Sequence, residues 1–271
     1  MPSKYRPQLL GWLSDLDKKP YRMSEHVHQL IYANDNYCAF IRLEDDVQSS
    51  CNFHNILTTI LSSFIFFVMV IMMFDSGLSK ETIVCIVILI IDCIALYLVI
   101  PELYKYVFSS MGNPIIFNRK TGKVYVNENY FFNFKVLHNP KVFLQPKKRR
   151  IQEYDWNDMH GVVNHNLLRS MAPATLLMVC QSGTNQVIDH VMLDPQNAAS
   201  GRILIWNWVN SFMVFYKSVD IDSGKYKTDE EAKFKTDMID GEGWPEWMVE
   251  AFNATSLEEL AAIKQKYNIK P

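Results

Sequence analysis

Cysteine is scarce in this chain and badly placed for chemistry. The five residues, Cys38, Cys51, Cys85, Cys93 and Cys180, are scattered and include no CxxC pair. That pattern excludes a disulfide framework and a cysteine-based zinc site, and it fits a reducing compartment. No GxSxG, HExxH, P-loop or GxGxxG occurs, so the familiar signatures of hydrolases, metalloproteases and nucleotide-binding enzymes are missing. His26-Val-His28 and the pair His160 and His165 are the only histidine groupings. Neither carries cysteine or carboxylate partners at metal-binding spacing. Asp155 and Asp158 beside His160 are the nearest approach to an acid–base cluster, and they read better as decoration of a strand end. The expectation is a non-enzymatic protein without metal or cofactor.

Two long apolar runs are what the chain does have. Ile56 to Phe74 holds no ionisable group, and Ile83 to Ile100 holds only Asp92. At about 1.5 Å per residue, helices of these lengths reach roughly 27 to 29 Å, close to a hydrocarbon core of about 30 Å. The runs predict a transmembrane helical hairpin over residues 56–100. Residues 1–55 hold no apolar stretch of signal-peptide length. Basic residues flank the hairpin (Arg42 before it, Lys105, Arg119, Lys120 and Lys123 after it), and the loop between the runs carries only Lys80. The positive-inside rule then puts both termini in the cytoplasm. A carboxylate at mid-bilayer is costly unless it is paired. An antiparallel hairpin brings Ser62 and Ser63 within about a turn of Asp92, so a polar contact that fixes helix packing is expected. The competing reading is a small oligomeric transport or ion-conducting unit built around Asp92.

The remaining chain divides by composition. Residues 101–217 carry 13 basic and 7 acidic side chains, net +6, whereas residues 218–271 carry 7 basic and 12 acidic, net −5. Mean hydropathy is −0.05, so most of the mass is polar. Residues 101–217 read as a cytoplasmic α+β domain of short antiparallel strands closed by a C-terminal helix, in pleckstrin-homology-like order. Its first hairpin joins Pro114–Asn118 to Lys123–Val126 across a turn containing Gly122. Phe132, Phe134 and Val136 alternate with polar residues as a strand does, and Lys141 to Leu144 suggests another. Thr175–Gln181 and Gln186–Leu193 flank a second turn. A helix over Ala199–Lys217 is apolar on more than one face, which reads first as a core helix covered on two sides; a partner surface of Ile203, Trp206 and Met213, with Trp247, is the secondary reading.

Residues 1–55 hold one strand, from Tyr37 to Leu43, after the turn-forming Asn34-Asp35-Asn36, and are expected to pack on the main domain. Residues 218–271 read as an acidic linker and two short helices, one after Pro245 and one opened by the capping box Ser256-Leu-Glu-Glu259. Lys147-Lys148-Arg149-Arg150 is the strongest local charge signal. It suits anionic lipid headgroups at about 1 kcal/mol per basic residue. It lacks the interleaved aromatics of single-strand nucleic-acid binders, so no nucleic acid is expected.

The Asn34-Asp35-Asn36-Tyr37 strand, the apolar hairpin, Pro114-x-x-Phe117-Asn118-Arg119-Lys120, the Tyr154-Asp155-Trp156 strand and the Trp-rich helix together carry a resemblance over about residues 30–217. The chain resembles a group of two-span bacterial inner-membrane proteins often encoded near type VI secretion effectors. The resemblance implies a membrane-anchored, multi-pass, non-enzymatic module. Its partners would be the bilayer, a secretion effector or component that it serves as immunity factor or adaptor, and a further copy in a homo-oligomer.

Overall fold

A computed structural model describes residues 2–22, 27, 29–42, 57–68, 70–71, 84, 86–93, 113–129, 149–165, 173–194, 203–214, 221 and 243–269. The chain forms two units: residues Met1–Leu43 with Ser110–Pro271, and residues Glu44–Ser109. The strands expected at Phe132–Val136 and Lys141–Leu144 lie outside the described residues.

The larger unit holds two antiparallel sheets. One contains β1 (Trp12–Asp15), β7 (Met159–His165), β8 (Pro173–Cys180) and β9 (Val187–Asp194), in that spatial order. The other runs β2 (Leu30–Ala33), β3 (Tyr37–Phe40), β4 (Ile115–Asn118), β5 (Lys123–Asn129) and β6 (Arg149–Asp155). A short 3₁₀ turn, Trp156–Asp158, carries the chain from β6 into β7. Three helices follow among the described residues: α1 (Leu204–Val214), α2 (Glu246–Ala251) and α3 (Leu257–Lys266).

Local chemistry accounts for the turns. Between β2 and β3 the Asn34 side-chain oxygen accepts from the backbone N–H groups of Asn36 and Tyr37, both at 2.8 Å, which is an Asx turn. Between β4 and β5 the chain reverses at Gly122 with φ of +67°, a conformation that a side chain would strain. Tyr37 to Phe40 then pairs antiparallel with Ile115 to Asn118, which ties the N-terminal segment into the five-stranded sheet.

Alternation along the strands divides their side chains between faces. Cys38, Phe40, Ile115, Phe117, Val124 and Val126 point inward and meet Met159, Leu177, Val179 and Val191 of the other sheet. Helix α1 completes this central core with Ile205, Trp206, Trp208, Val209 and Phe212. Phe40 meets Trp208 edge-on at 5.4 Å, and Trp156 meets Trp206 at 5.6 Å. The outward residues are covered too. Tyr5, Leu9 and Trp12 pack on Val162, Leu176, Met178 and Cys180 of the four-stranded sheet. Trp244, Met248, Phe252, Leu260 and Ile263 pack on Tyr32, Tyr37, Ala39, Ile116 and Tyr125 of the five-stranded sheet. Strands buried on both faces read as continuous apolar runs rather than clean alternation.

Two expectations are corrected here. Two sheets sharing one core replace the pleckstrin-homology-like arrangement of a single bent sheet closed by a helix. The physical reason is that the N-terminal strands extend both sheets and α1 contributes to the core they share. The transmembrane hairpin is also not supported. Among the described residues no helix is long and apolar enough to cross a membrane. Residues 57–68, 70–71, 84 and 86–93 are helical. A multi-pass inner-membrane location with both termini in the cytoplasm therefore loses its structural support, and with it the transmembrane and secretion-system context.

Gly161 allows the closest approach in the central core. A β-carbon placed there would lie 2.8 Å from the Trp206 indole, well inside contact distance. Gly161→Ala is expected to lose about 1 to 3 kcal/mol through overpacking, read as a lower urea midpoint with an unchanged slope.

Candidate functional site

The smaller unit has its polarity turned inside out. Phe64 is 65% exposed and Phe67 64%, and Leu57, Ile60, Leu61, Ile71, Val84, Val87, Ile90 and Ile91 are exposed as well. The buried side chains on these helical residues are instead Ser62 and Asp92. The Ser62 hydroxyl donates to Asp92 Oδ1, and Oδ2 has no hydrogen-bond partner among the described residues. Ser63 is exposed. This hydrogen bond joins the two helical stretches, while most of the described aliphatic and aromatic side chains face outward.

The larger unit contains a buried charge network that no sequence motif announces. Arg42, just beyond β3, is 1% exposed. Its Nε–H donates to the Asn113 carbonyl at 2.6 Å, Nη1 donates to Glu128 Oε2 and to the Met192 carbonyl at 2.8 Å each, and Nη2 donates to the Asn127 carbonyl at 3.2 Å. Glu128 is shared with Arg150, whose Nε–H reaches Oε1 at 2.8 Å. Arg150 also binds Asp189 Oδ2 at 2.5 Å and the His190 carbonyl at 3.0 Å, and the Tyr154 hydroxyl donates to the same Asp189 oxygen at 2.7 Å. Burial alone would raise the Asp189 carboxyl; the hydrogen bonds from Arg150 and Tyr154 outweigh it and hold Asp189 below the usual range. Burial likewise works against the charge on Arg150, but Glu128 and Asp189 hold it more firmly protonated than usual. The network joins β5 and β6 of one sheet to β9 of the other.

A second polar cluster lies where the N-terminal segment meets the turn after β6. The Lys18 ammonium donates to the Trp156 carbonyl and, at 3.4 Å, to that of Asn157. It sits 4.4 Å over the Trp156 ring. Burial pushes the Lys18 amine down to about 8, against the opposing charge of Asp158. The His160 ring stacks on Tyr5 at 4.7 Å, and burial, then Lys18, hold it below the usual histidine range. Burial raises the Cys180 thiol, which keeps it in the unreactive protonated form. The amine is committed to two carbonyls and the imidazole to a ring stack, so this cluster fastens a segment. Among the described residues no group of three His, Cys, Asp or Glu side chains could hold a metal ion.

The residues singled out from sequence are distributed as follows. Asp92 and Ser62 meet directly. Arg150 serves the internal network, and the Arg149 Nε–H donates to the Asn127 side chain at 2.5 Å. These two arginines open β6 with their guanidinium groups turned to protein acceptors; Lys147 and Lys148 lie outside the described residues. Trp206, only 1% exposed, belongs to the central core and donates its indole N–H to the Asp17 carbonyl at 3.1 Å. It is no part of a surface. Ile203 and Met213 pack against the same core, half-buried. Trp247 packs beside the C-terminal helices with the Lys264 ammonium 5.5 Å over its ring. Asp155 pairs with Lys123 at 2.7 Å, whereas His26 and His28 lie outside the described residues. Arg42, Glu128, Asp189 and Lys18 were not anticipated. Their partners in these clusters are 22 to 150 residues away in the chain, beyond any local spacing rule.

Both clusters generate predictions. Arg42→Met removes one side of a buried pair and is expected to cost about 3 to 5 kcal/mol in urea unfolding. Arg42→Lys should recover little of that loss, because one ammonium cannot reach acceptors arranged for a planar fork. For Lys18, folding lowers the amine from an ordinary 10.5 to about 8. Between those pH values the unfolded chain holds a proton that the folded chain has released, so stability rises with pH across that window. The stability difference between the native protein and Lys18→Gln, followed by urea unfolding at pH 7.5, 9 and 10.5, should grow in favour of lysine. A difference that stays flat would show an ordinary lysine.

No curated protein and no solved structure matches the chain. A family model described as a family of unknown function (DUF6708) matches residues 92–239, more than half of the 271 residues. The matched stretch takes in β4 to β9 and α1, and the chain belongs to that family.

Proposed function

We propose that this protein is a non-enzymatic binding module that associates with a lipid surface through the apolar helical residues of its smaller unit and presents its two-sheet body to a protein partner. The observation that carries this reading is the inverted polarity of residues 57–68, 70–71, 84 and 86–93, with Phe64, Phe67, Ile90 and Ile91 outward and Ser62 bonded inward to Asp92. Contiguous apolar surface of this kind marks a contact site, and turning the Asp92 carboxyl inward to the Ser62 hydroxyl keeps it off that surface. The body supports the second half of the proposal. Its strongest charges are consumed in holding the sheets together, and the amine of Lys18 is consumed in fastening the N-terminal segment.

Vesicle flotation of the full chain tests the attachment. The native protein is expected to float with phosphatidylcholine vesicles. A variant with Phe64, Phe67, Ile90 and Ile91 all changed to Ser should stay in the dense fraction, because each side chain contributes about 1.5 to 3 kcal/mol when buried. Native protein that remains in the dense fraction at every lipid concentration overturns the reading.

A further inference from the structure

The C-terminal segment 243–269 sits on the five-stranded sheet as a ligand sits on a receptor. It carries much of its own local order. The Ser256 hydroxyl caps α3 by accepting from the Glu259 N–H at 3.2 Å, and Lys266 pairs with Glu250 at 2.8 Å across the two helices. Lysines near the C-terminal end of α3 and glutamates in its first turn complement the helix dipole. The face beneath it has matching features. Phe252, backed by Trp244 of its own segment at 4.9 Å, meets Tyr37 and Tyr125 of the sheet with centroids 6.5 and 5.2 Å away. Asn118, fully buried on β4, donates its amide to the carbonyls of Phe252 at 3.0 Å and Ala254 at 2.9 Å. Glu153 of β6 receives Lys264 at 2.7 Å, and Asn36 donates to the Asn253 side chain at 3.0 Å.

Among the described residues, the last buried core residue before this segment is Ile221. The 21 residues 222–242 join the two. A chain of that length reaches up to about 70 Å, far enough to serve either its own sheet or that of a neighbour. The family match stops at residue 239, so the whole segment lies beyond the matched stretch.

We propose that residues 243–269 are exchangeable, and that the outer face of the five-stranded sheet accepts this segment from a second copy of the chain. The contacts in the exchanged state are the same ones made within a single copy, so the exchange creates no unpaired group. Such swapping is a low-cost route to a dimer. Its extent is set by protein concentration against the effective concentration that the linker imposes. This inference is independent of the lipid reading, since it concerns a different face and requires no vesicle.

Two full-length variants test it, Asn36→Cys in one chain and Asn253→Cys in the other. The two are mixed, incubated near the urea midpoint, refolded and treated with a short bis-maleimide. Exchange produces a covalent dimer containing one of each chain, rising with protein concentration and several-fold above either variant alone. The doubly substituted chain, Asn36→Cys with Asn253→Cys, should link within itself when dilute. Adding Asn118→Ala to the Asn36→Cys chain should reduce the mixed dimer, because the receiving face loses its amide. A mixed dimer that never exceeds the single-variant background, while the double variant links internally, overturns the proposal. Failure of the double variant to link internally also overturns it, because the docking contact itself would then be wrong.

Discussion

A guanidinium with no access to water obliges everything around it to supply acceptors. Arg42 meets that obligation by drawing on the Asn113 and Asn127 carbonyls, the Glu128 carboxylate and the Met192 carbonyl. Met192 belongs to the four-stranded sheet and Glu128 to the five-stranded sheet, so the charge can be satisfied only when both sheets are assembled in register. Arg150, Asp189 and Tyr154 extend the same demand along β6 and β9. A buried pair of this kind adds little net stability compared with well-packed apolar residues, but any arrangement that leaves one partner alone is heavily penalised. In this chain it excludes slipped pairings of the two sheets. Phe40, Trp208 and Trp206 then pack in the core around a geometry already restricted.

The parts of this architecture that were legible in the sequence are those set by neighbouring residues. Asn34-Asp35-Asn36 forms the expected turn, and Gly122 reverses the β4–β5 hairpin. Ser256 caps the last helix, although the Glu259 carboxylate turns to the Thr255 backbone and hydroxyl, both at 2.7 Å, and does not close the box on Ser256. What was not legible depends on partners brought together by folding. Nothing near Arg42 in sequence hints at Glu128 or Met192, and nothing near Lys18 hints at Trp156. A helix apolar on two sides, as α1 is, reads first as a covered core helix, and Trp206 is buried; that the cover comes from two sheets sharing one core is what the pattern does not state.

The apolar runs gave the strongest signal and the most misleading one. Length and hydropathy alone suggested two membrane-crossing helices, whereas among the described residues no helix is long and apolar enough to cross a membrane. Ser62 and Asp92, one from each apolar run, are hydrogen-bonded to each other. The covering of both outer sheet faces, by Tyr5, Leu9 and Trp12 on one side and by the C-terminal helices on the other, was not readable either. Strands apolar on both faces reveal only that something covers them.

The fully buried Asn118 has a consequence for how the polypeptide is made. Its side-chain oxygen accepts from the N–H groups of Lys120 and Thr121, which are available as soon as the hairpin forms. Its amide must wait for the Ala251 carbonyl and its neighbours, 133 residues later. At about 5 to 20 residues per second, the ribosome needs roughly 7 to 27 seconds to reach them. The inner face of the sheet is covered once β7 to β9 and α1 have been made, while the outer, aromatic face stays bare until residues 243–269 follow, which makes it a surface for a chaperone to shield during translation.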